Sequence, residues 1–181
     1  MSPVFTPDFA SVDANIHIYE KGRFQVQVTK RTPFSREKTT DGNVSVLGGV
    51  RFGLEMVGQF DDDGDIQTDG LKGKVVSPYT VWLHTEGGWQ FGKTFIMAAC
   101  GYNVRRQEQE ANENLFQGDD ISWDCSGDVD APPESFELGN GWDIPVGRRV
   151  DVTLSKSVTQ SKDGETTYEN QEYGGWAPVE G

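Results

Sequence analysis

The sequence predicts a mostly β fold: a small β-barrel of five or six antiparallel strands with one packed short helix and long acidic loops. Three observations point there. Apolar residues alternate with polar ones at Phe24, Val26 and Val28 and again at Val150, Val152 and Leu154, the period of a half-buried strand. Turn signals punctuate the chain at Asp41-Gly42-Asn43, Gly87-Gly88 and Lys162-Asp163-Gly164. Helical spacing is confined to one apolar stretch, and nothing repeats as βαβ.

In order, residues 1–22 read as an irregular N-terminal arm with Pro3 and Pro7, and residues 23–181 as one domain. A first strand runs over Arg23–Thr29 and is broken by Pro33; residues 35–43 form a polar, basic loop. A second strand spans Val44–Gln59, with Gly48-Gly49 marking a bulge or bend. The acidic insertion at 61–70 follows, then a third strand over Lys74–Leu83 interrupted by Pro78. Phe91, Phe95, Ile96 and Ala99 share one face of a helix reaching Tyr102, with Gly101 as its cap. Residues 105–117 suit an exposed helix, and the acidic, Gly/Pro-rich stretch 117–143 a long loop. In the last hairpin Val150, Val152 and Leu154 alternate, Lys162-Asp163-Gly164 makes the turn, Thr166, Tyr168 and Asn170 return, and Pro178 ends it.

The chain has 181 residues, enough to bury a core without disulfides or metals. No apolar run is long enough to span a membrane. Met1–Ala10 has neither the basic start nor the apolar core of a signal peptide, and Cys100 and Cys125 lack CxxC partners. The expected compartment is the cytoplasm. Net charge is −13, but residues 61–147 carry 17 acidic residues against 5 basic ones, while residues 1–60 carry 6 against 7. Overall acidity opposes phosphate binding, yet the flanks retain basic clusters that a local field can use.

Four short segments resemble a phage-encoded family of unknown function found beside recombination and replication genes and taken to be OB-like single-stranded DNA-binding proteins. They are Gly22-Arg23-Phe24-Gln25-Val26-Gln27-Val28, Phe95-Ile96-Met97-Ala98-Ala99-Cys100-Gly101-Tyr102, Val146-Gly147-Arg148-Arg149-Val150-Asp151-Val152, and Tyr168-Glu169-Asn170-Gln171-Glu172-Tyr173 with a Pro after it. The resemblance covers most of the chain as element order. It implies an OB-like barrel, single-stranded DNA as partner, the cytoplasm of an infected bacterial host, and phage recombination or replication proteins as further partners. Homo-oligomerisation is left open. The large insertions at 61–70 and 117–143 depart from the family pattern, as does an end without an acidic docking tail.

Non-specific single-strand binding needs aromatic faces for bases and cations that follow the backbone. Arg23, Lys30, Arg31, Arg36, Lys38, Arg148 and Arg149 are the candidate phosphate contacts, with Arg51, Lys72, Lys74 and Lys156 able to extend them. Phe34, Tyr168 and Tyr173 are the candidate stacking residues. The competing reading makes them ordinary solvated hairpin faces that keep sheet edges from aggregating.

Other chemistry is thinner. Asp61, Asp63, Asp65 and Asp69 have the 1, 3, 5, 9 spacing of calcium loops, but Ile66 and Lys72 stand where an EF-hand has Gly and Glu, so a polar hairpin tip is expected. His17 and His84 have no ligand spacing. Gly87–Thr94 matches the letters of a P-loop, yet Trp89 and Phe91 are bulky for a phosphate-wrapping loop, and a turn into a helix is expected. No cofactor or metal is expected. The expectation is a non-enzymatic binder of single-stranded DNA, with a non-enzymatic virion or assembly protein as the alternative and a small P-loop-type nucleotide-binding protein behind both.

Overall fold

Long runs of alternating β-branched and polar residues give long strands. The computed structural model describes residues 16–82, 84–99, 101, 121–123, 136–138 and 146–180. The strands are β1 (Ile16–His17), β2 (Gly22–Thr40), β3 (Asn43–Phe60), β4 (Ile66–Gln67), β5 (Val75–Trp82), β6 (Ile121–Trp123), β7 (Phe136–Leu138), β8 (Arg149–Gln160) and β9 (Thr167–Pro178). One helix, α1 (Glu86–Ala99), lies between β5 and β6. The main sheet has the order β1-β5-β3-β2-β8-β9, with β4 paired to the end of β3, and β6 and β7 form a separate two-stranded ribbon. All pairings are antiparallel except β1 with β5.

The protein is mostly β with one short helix in the described residues, but the sheet does not close into the expected barrel. No backbone ladder joins β5 to β9. Side chains fill the gap instead. Tyr79 of β5 packs against Tyr173 and Trp176 of β9 at ring separations of 5.2 and 4.8 Å, and Phe95 of α1 sits 4.6 Å from Trp176. The Tyr173 hydroxyl donates to the Ser77 carbonyl on β5. The first residues described also bridge the gap. Ile16 and His17 pair with Val75 and Val76, and Gln171 of β9 both accepts from the Tyr19 amide (2.6 Å) and donates to its carbonyl (3.1 Å). The segment expected as an irregular arm is therefore, at its end, part of the sheet.

The core lies between α1 and one face of the sheet. Phe24, Val26 and Val28, Val50, Phe52, Leu54 and Met56, and Val150, Val152 and Leu154 are buried there under Phe95, Ile96 and Ala99. The helix starts at Glu86, earlier than the apolar periodicity suggested, because the Thr85 hydroxyl accepts from the Gly88 amide and caps it. Phe91 is 75% exposed rather than packed on the sheet. Gly92 takes the contact: a Cβ there would stand 2.2 Å from Val81 Cγ1.

Other expectations shift as well. Pro33 does not end the first strand, and 35–43 is no loop: β2 pairs with β3 as far as Thr40–Asn43, closed by Asp41 and Gly42 at positive φ. Pro33 is tolerated because β2 has lost its β8 neighbour beyond Gln27. The ladder slips at Val57 and Thr29, not at Gly48-Gly49. Pro78 stays within β5 where the ladder with β3 slips between Phe52 and Leu54. Residues 117–143 include the β6–β7 ribbon, so they are not loop throughout. The expected exposed helix at 105–117 and the two cysteines lie outside the described residues. No described helix is long and apolar enough to cross a membrane.

Candidate nucleic-acid interface

Alternation that buries one face of the sheet turns the other outward. On β2 this outer face carries Arg23, Gln25 and Gln27, then, after the slip at Thr29, Lys30 and Thr32. On β3 it carries Arg51, Gly53 and Glu55, and on β8 Arg149 and Asp151, which pair with Gln27 and Gln25. Gly53 leaves room for Lys30, whose Cγ would lie 2.7 Å from a Cβ at that position. Arg148 stands beside them, its carbonyl accepting from the Val28 amide. Arg148 and Arg149 are exposed, and neither has a carboxylate partner among the described residues.

Asp151 anchors the other end of this face. It is 3% exposed, and its carboxylate accepts from Gln25 Nε2 and from Arg23 Nη2, each at 3.2 Å. Burial pushes its carboxyl above the ordinary range; the Gln25 bond and the Arg23 charge pull against that shift without cancelling it. The Arg23 guanidinium lies 4.6 Å from the Phe60 ring centroid while its side chain remains 54% exposed. Together with Gly64 of the acidic tip, Val179 and Glu180, these residues line a cleft of about 380 Å³. A cation held over an aromatic ring beside a hydrogen-bonding pair can take a phosphate on one side and a base edge on the other.

A second cleft of about 380 Å³ lies on the helix side, between Tyr79, Phe91, Tyr173 and Trp176. It is aromatic and nearly free of charge. Tyr173 and Trp176 are stacked at 5.6 Å with their planes 9° apart, and burial raises the Tyr173 hydroxyl well above the usual tyrosine range.

The structure thus gathers only part of the expected groove. Arg23, Lys30 and Arg149 share the outer face, with Arg51 beside Lys30 on β3 and Arg148 exposed just before β8. Arg31 turns the other way, opposite Phe52, and is half-buried. Tyr173 is packed into the gap between β5 and β9, so it is no free stacking residue. Lys38 and Tyr168 are exposed but stand on two different ribbons. The backbones of Phe34 and Arg36 lie on the β2–β3 ribbon; their side chains lie outside the described residues. Lys38 is sixteen residues beyond Gly22 on β2, and Tyr168 pairs with Thr159, five beyond the Leu154 that faces Gly22. At about 3.3 Å per residue the two are about 70 Å apart along the strand path. The hairpins point to opposite ends, so their residues cannot form one short groove.

The sequence reading missed the Gln25–Asp151–Phe60 cleft. Its signal was a lone acid between Val150 and Val152, which alternation turns away from the core beside an arginine-glutamine strand. The other motifs resolve locally. Asp61 accepts from the amides of Asp63 (3.1 Å) and Asp65 (2.8 Å) and from Gln67 Nε2 (2.7 Å), so its carboxylate closes a hairpin tip. Among the described residues no three acidic, His or Cys side chains are placed to hold a metal. Gly87–Thr94 is helical throughout, which leaves no loop to wrap a phosphate and puts Lys93 and Thr94 two turns inside the helix. His84 Nδ1 lies 3.2 Å from the Gly48 carbonyl, a structural contact. No protein-family model, curated protein or solved structure matches this chain.

Proposed function

We propose that this protein is a non-enzymatic, non-sequence-specific binder of single-stranded DNA built on an open OB-like sheet, acting in phage replication or recombination in the cytoplasm of an infected bacterium. The observation that carries the reading is Arg23, Lys30, Arg51 and Arg149 on the outer face of the central strands β2, β3 and β8, with the exposed Arg148 at the start of β8. The connectivity supports it. The five long strands run β5-β3-β2-β8-β9 across the sheet, and α1 comes between the third and fourth of them in sequence. That is the order of an OB barrel left open at its third and fifth strands, a fold that binds oligonucleotides on its second and third strands, here β3 and β5, and at the loops joining its first to second and fourth to fifth strands; of these, β3 lies within the basic face. The charge distribution is compatible, since the acidic excess falls in residues 61–147 rather than on β2, β3 and β8. Phosphates would follow the arginines, and Phe60 and the exposed Tyr168 offer ring faces for bases.

Fluorescence anisotropy with labelled oligo-dT and with the matching duplex tests this. Engagement of four phosphates gives a slope of about −3 in log K against log salt for a single strand. An Arg51→Ala/Arg149→Ala variant, which removes two of these contacts, should reduce the magnitude of that slope by about 1.4. EDTA should change nothing. Absence of single-strand binding at low salt, or equal affinity for duplex, overturns the proposal.

A further inference from the structure

β2 and β8 pair only in part, and the offset leaves two free edges that match each other. The ladder runs from Gly22–Leu154 to Gln27–Arg149. Beyond it, β2 continues from Thr29 to Thr40 with β3 on one side and no strand on the other among the described residues. β8 continues the opposite way, from Ser155 to Gln160, with β9 on one side only. The β2 edge faces the β8 side of the sheet, and the β8 edge faces the β2 side. Shifting a second copy along the strands, without turning it over, brings its β8 edge against the β2 edge of the first in the same antiparallel sense as the internal ladder.

From this we infer that copies of the chain associate head to tail, the β2 extension of one pairing with the β8 extension of the next. Such a contact is heterologous and leaves both outer edges free, so it grows as an open filament rather than closing as a dimer. Charge selects this pairing. Within residues 34–40 the β2 extension carries Arg36 and Lys38 against Glu37. The β8–β9 ribbon carries Asp163, Glu165, Glu169 and Glu172 against Lys156 and Lys162, and Lys156 is already held by Glu20 at 2.5 Å and Glu169 at 3.3 Å. Two basic extensions repel, which disfavours the two-fold β2–β2 alternative, while basic against acidic attracts. Pro33 confines the pairing to the outer half of the extension, residues 34–40, about the length of the β8 edge. In the joined sheet Lys38 shares a face with Thr159 and Glu172, and the exposed Val158 lies on the same face as the exposed Val44 and Val46. The inference does not depend on DNA binding.

Sedimentation velocity without nucleic acid, at low salt and over a wide concentration range, is the test. The wild-type mass should rise with concentration past that of two chains. Arg36→Glu/Lys38→Glu should stay monomeric, as should Thr159→Lys/Glu172→Lys. Mixing the two variants should restore growth, because each acidic edge then meets a basic one; this recovery also shows that both variants fold. A wild-type chain that remains monomeric, a mass that stops at two chains, or no recovery on mixing overturns the inference.

Discussion

Replacing Gly92 by Ala tests how α1 is seated. In an exposed helix interior this change stabilises by about 1 kcal/mol, since Gly is the poorest ordinary helix former. Here an ideal Cβ would stand 2.2 Å from Val81 Cγ1 and 3.1 Å from its Cβ. Carbon atoms rest at about 3.5–4.0 Å, so the helix must lift or Val81 must turn. Val81 is fully buried and β-branched, with little freedom at χ1. Overpacking of this kind costs about 1–3 kcal/mol, and a contact this short belongs at the upper end. The net expectation is a loss of about 2 kcal/mol. Val81→Ala alone should cost about 2 kcal/mol through two lost methyl groups and the cavity they leave. In the double variant the new methyl occupies part of that cavity, so the combined loss should fall short of the sum by about 2 kcal/mol. Urea unfolding followed by circular dichroism at constant m-value reads all three. A Gly92→Ala variant more stable than wild type, with effects that simply add, would show that α1 does not rest on β5 through this residue.

Three further outcomes follow from the packing and the titrating groups. Tyr173→Phe removes the hydroxyl that ties β9 to Ser77 of β5 and should lower stability by about 1 kcal/mol, seen as a lower urea midpoint. Trp176→Ala empties the centre of the same aromatic cluster and should cost about 3–5 kcal/mol; a loss under about 1 kcal/mol would mean that the gap between β5 and β9 is not held by side chains. The pH dependence should carry two signs. Asp151 is raised above its ordinary value of 3.8, so the folded state holds its proton more tightly; its contribution is greatest at low pH and is lost as pH climbs from 3.8 through the folded value. Asp61 and Asp163 are lowered, chiefly by Gln67 and Ser161, so their contribution is present above 3.8 and is lost as pH falls through their folded values. Urea midpoints from pH 2.5 to 7 should show the Asp151 slope vanish in Asp151→Ala while the acid limb persists.

What the sequence made legible was set by local physics. Alternation at Phe24–Val28 and Val150–Leu154 correctly marked core-facing strands, and Asp41-Gly42 correctly marked a hairpin turn, because side-chain direction and positive φ are properties of a few adjacent residues. Pro33 misled because its meaning depends on how many neighbours the strand has at that point, which is a fact about β8, more than a hundred residues away. Phe91 misled because helical periodicity does not say which turn of a helix meets the sheet; the glycine at 92 does that, by close approach. The basic residues fared the same way. Their types were readable, but whether Lys38 meets Tyr168 depends on strand direction across the sheet. The antiparallel β2–β8 ladder sends the two hairpins to opposite ends and leaves the arginines between them to converge.

That placement bears on how a chain of net charge −13 could hold a polyanion. Affinity depends on the field where phosphates pass, and exposed charges more than about 10 Å away are largely screened at 0.1 M salt. The outer face sets Lys30, Arg51 and Arg149 against Glu55, while Asp151 is buried and its nearest cation, Arg23, still shows half its side chain to solvent. Binding would therefore be gained locally at Lys30, Arg51 and Arg149 and opposed only weakly by acid on distant elements, while Glu180 and the 61–65 tip, whose Gly64 lines the Arg23 cleft, oppose it at that end. Neutralising the distant β8–β9 tip with Asp163→Asn/Glu165→Gln should leave oligo-dT affinity at physiological salt within about threefold of wild type, whereas Arg51→Ala should cost about tenfold, about 1.4 kcal/mol. If the tip substitutions instead raised affinity more than the arginine substitution lowered it, net charge rather than this face would govern binding, and the placement of the interface on β2, β3 and β8 would be wrong.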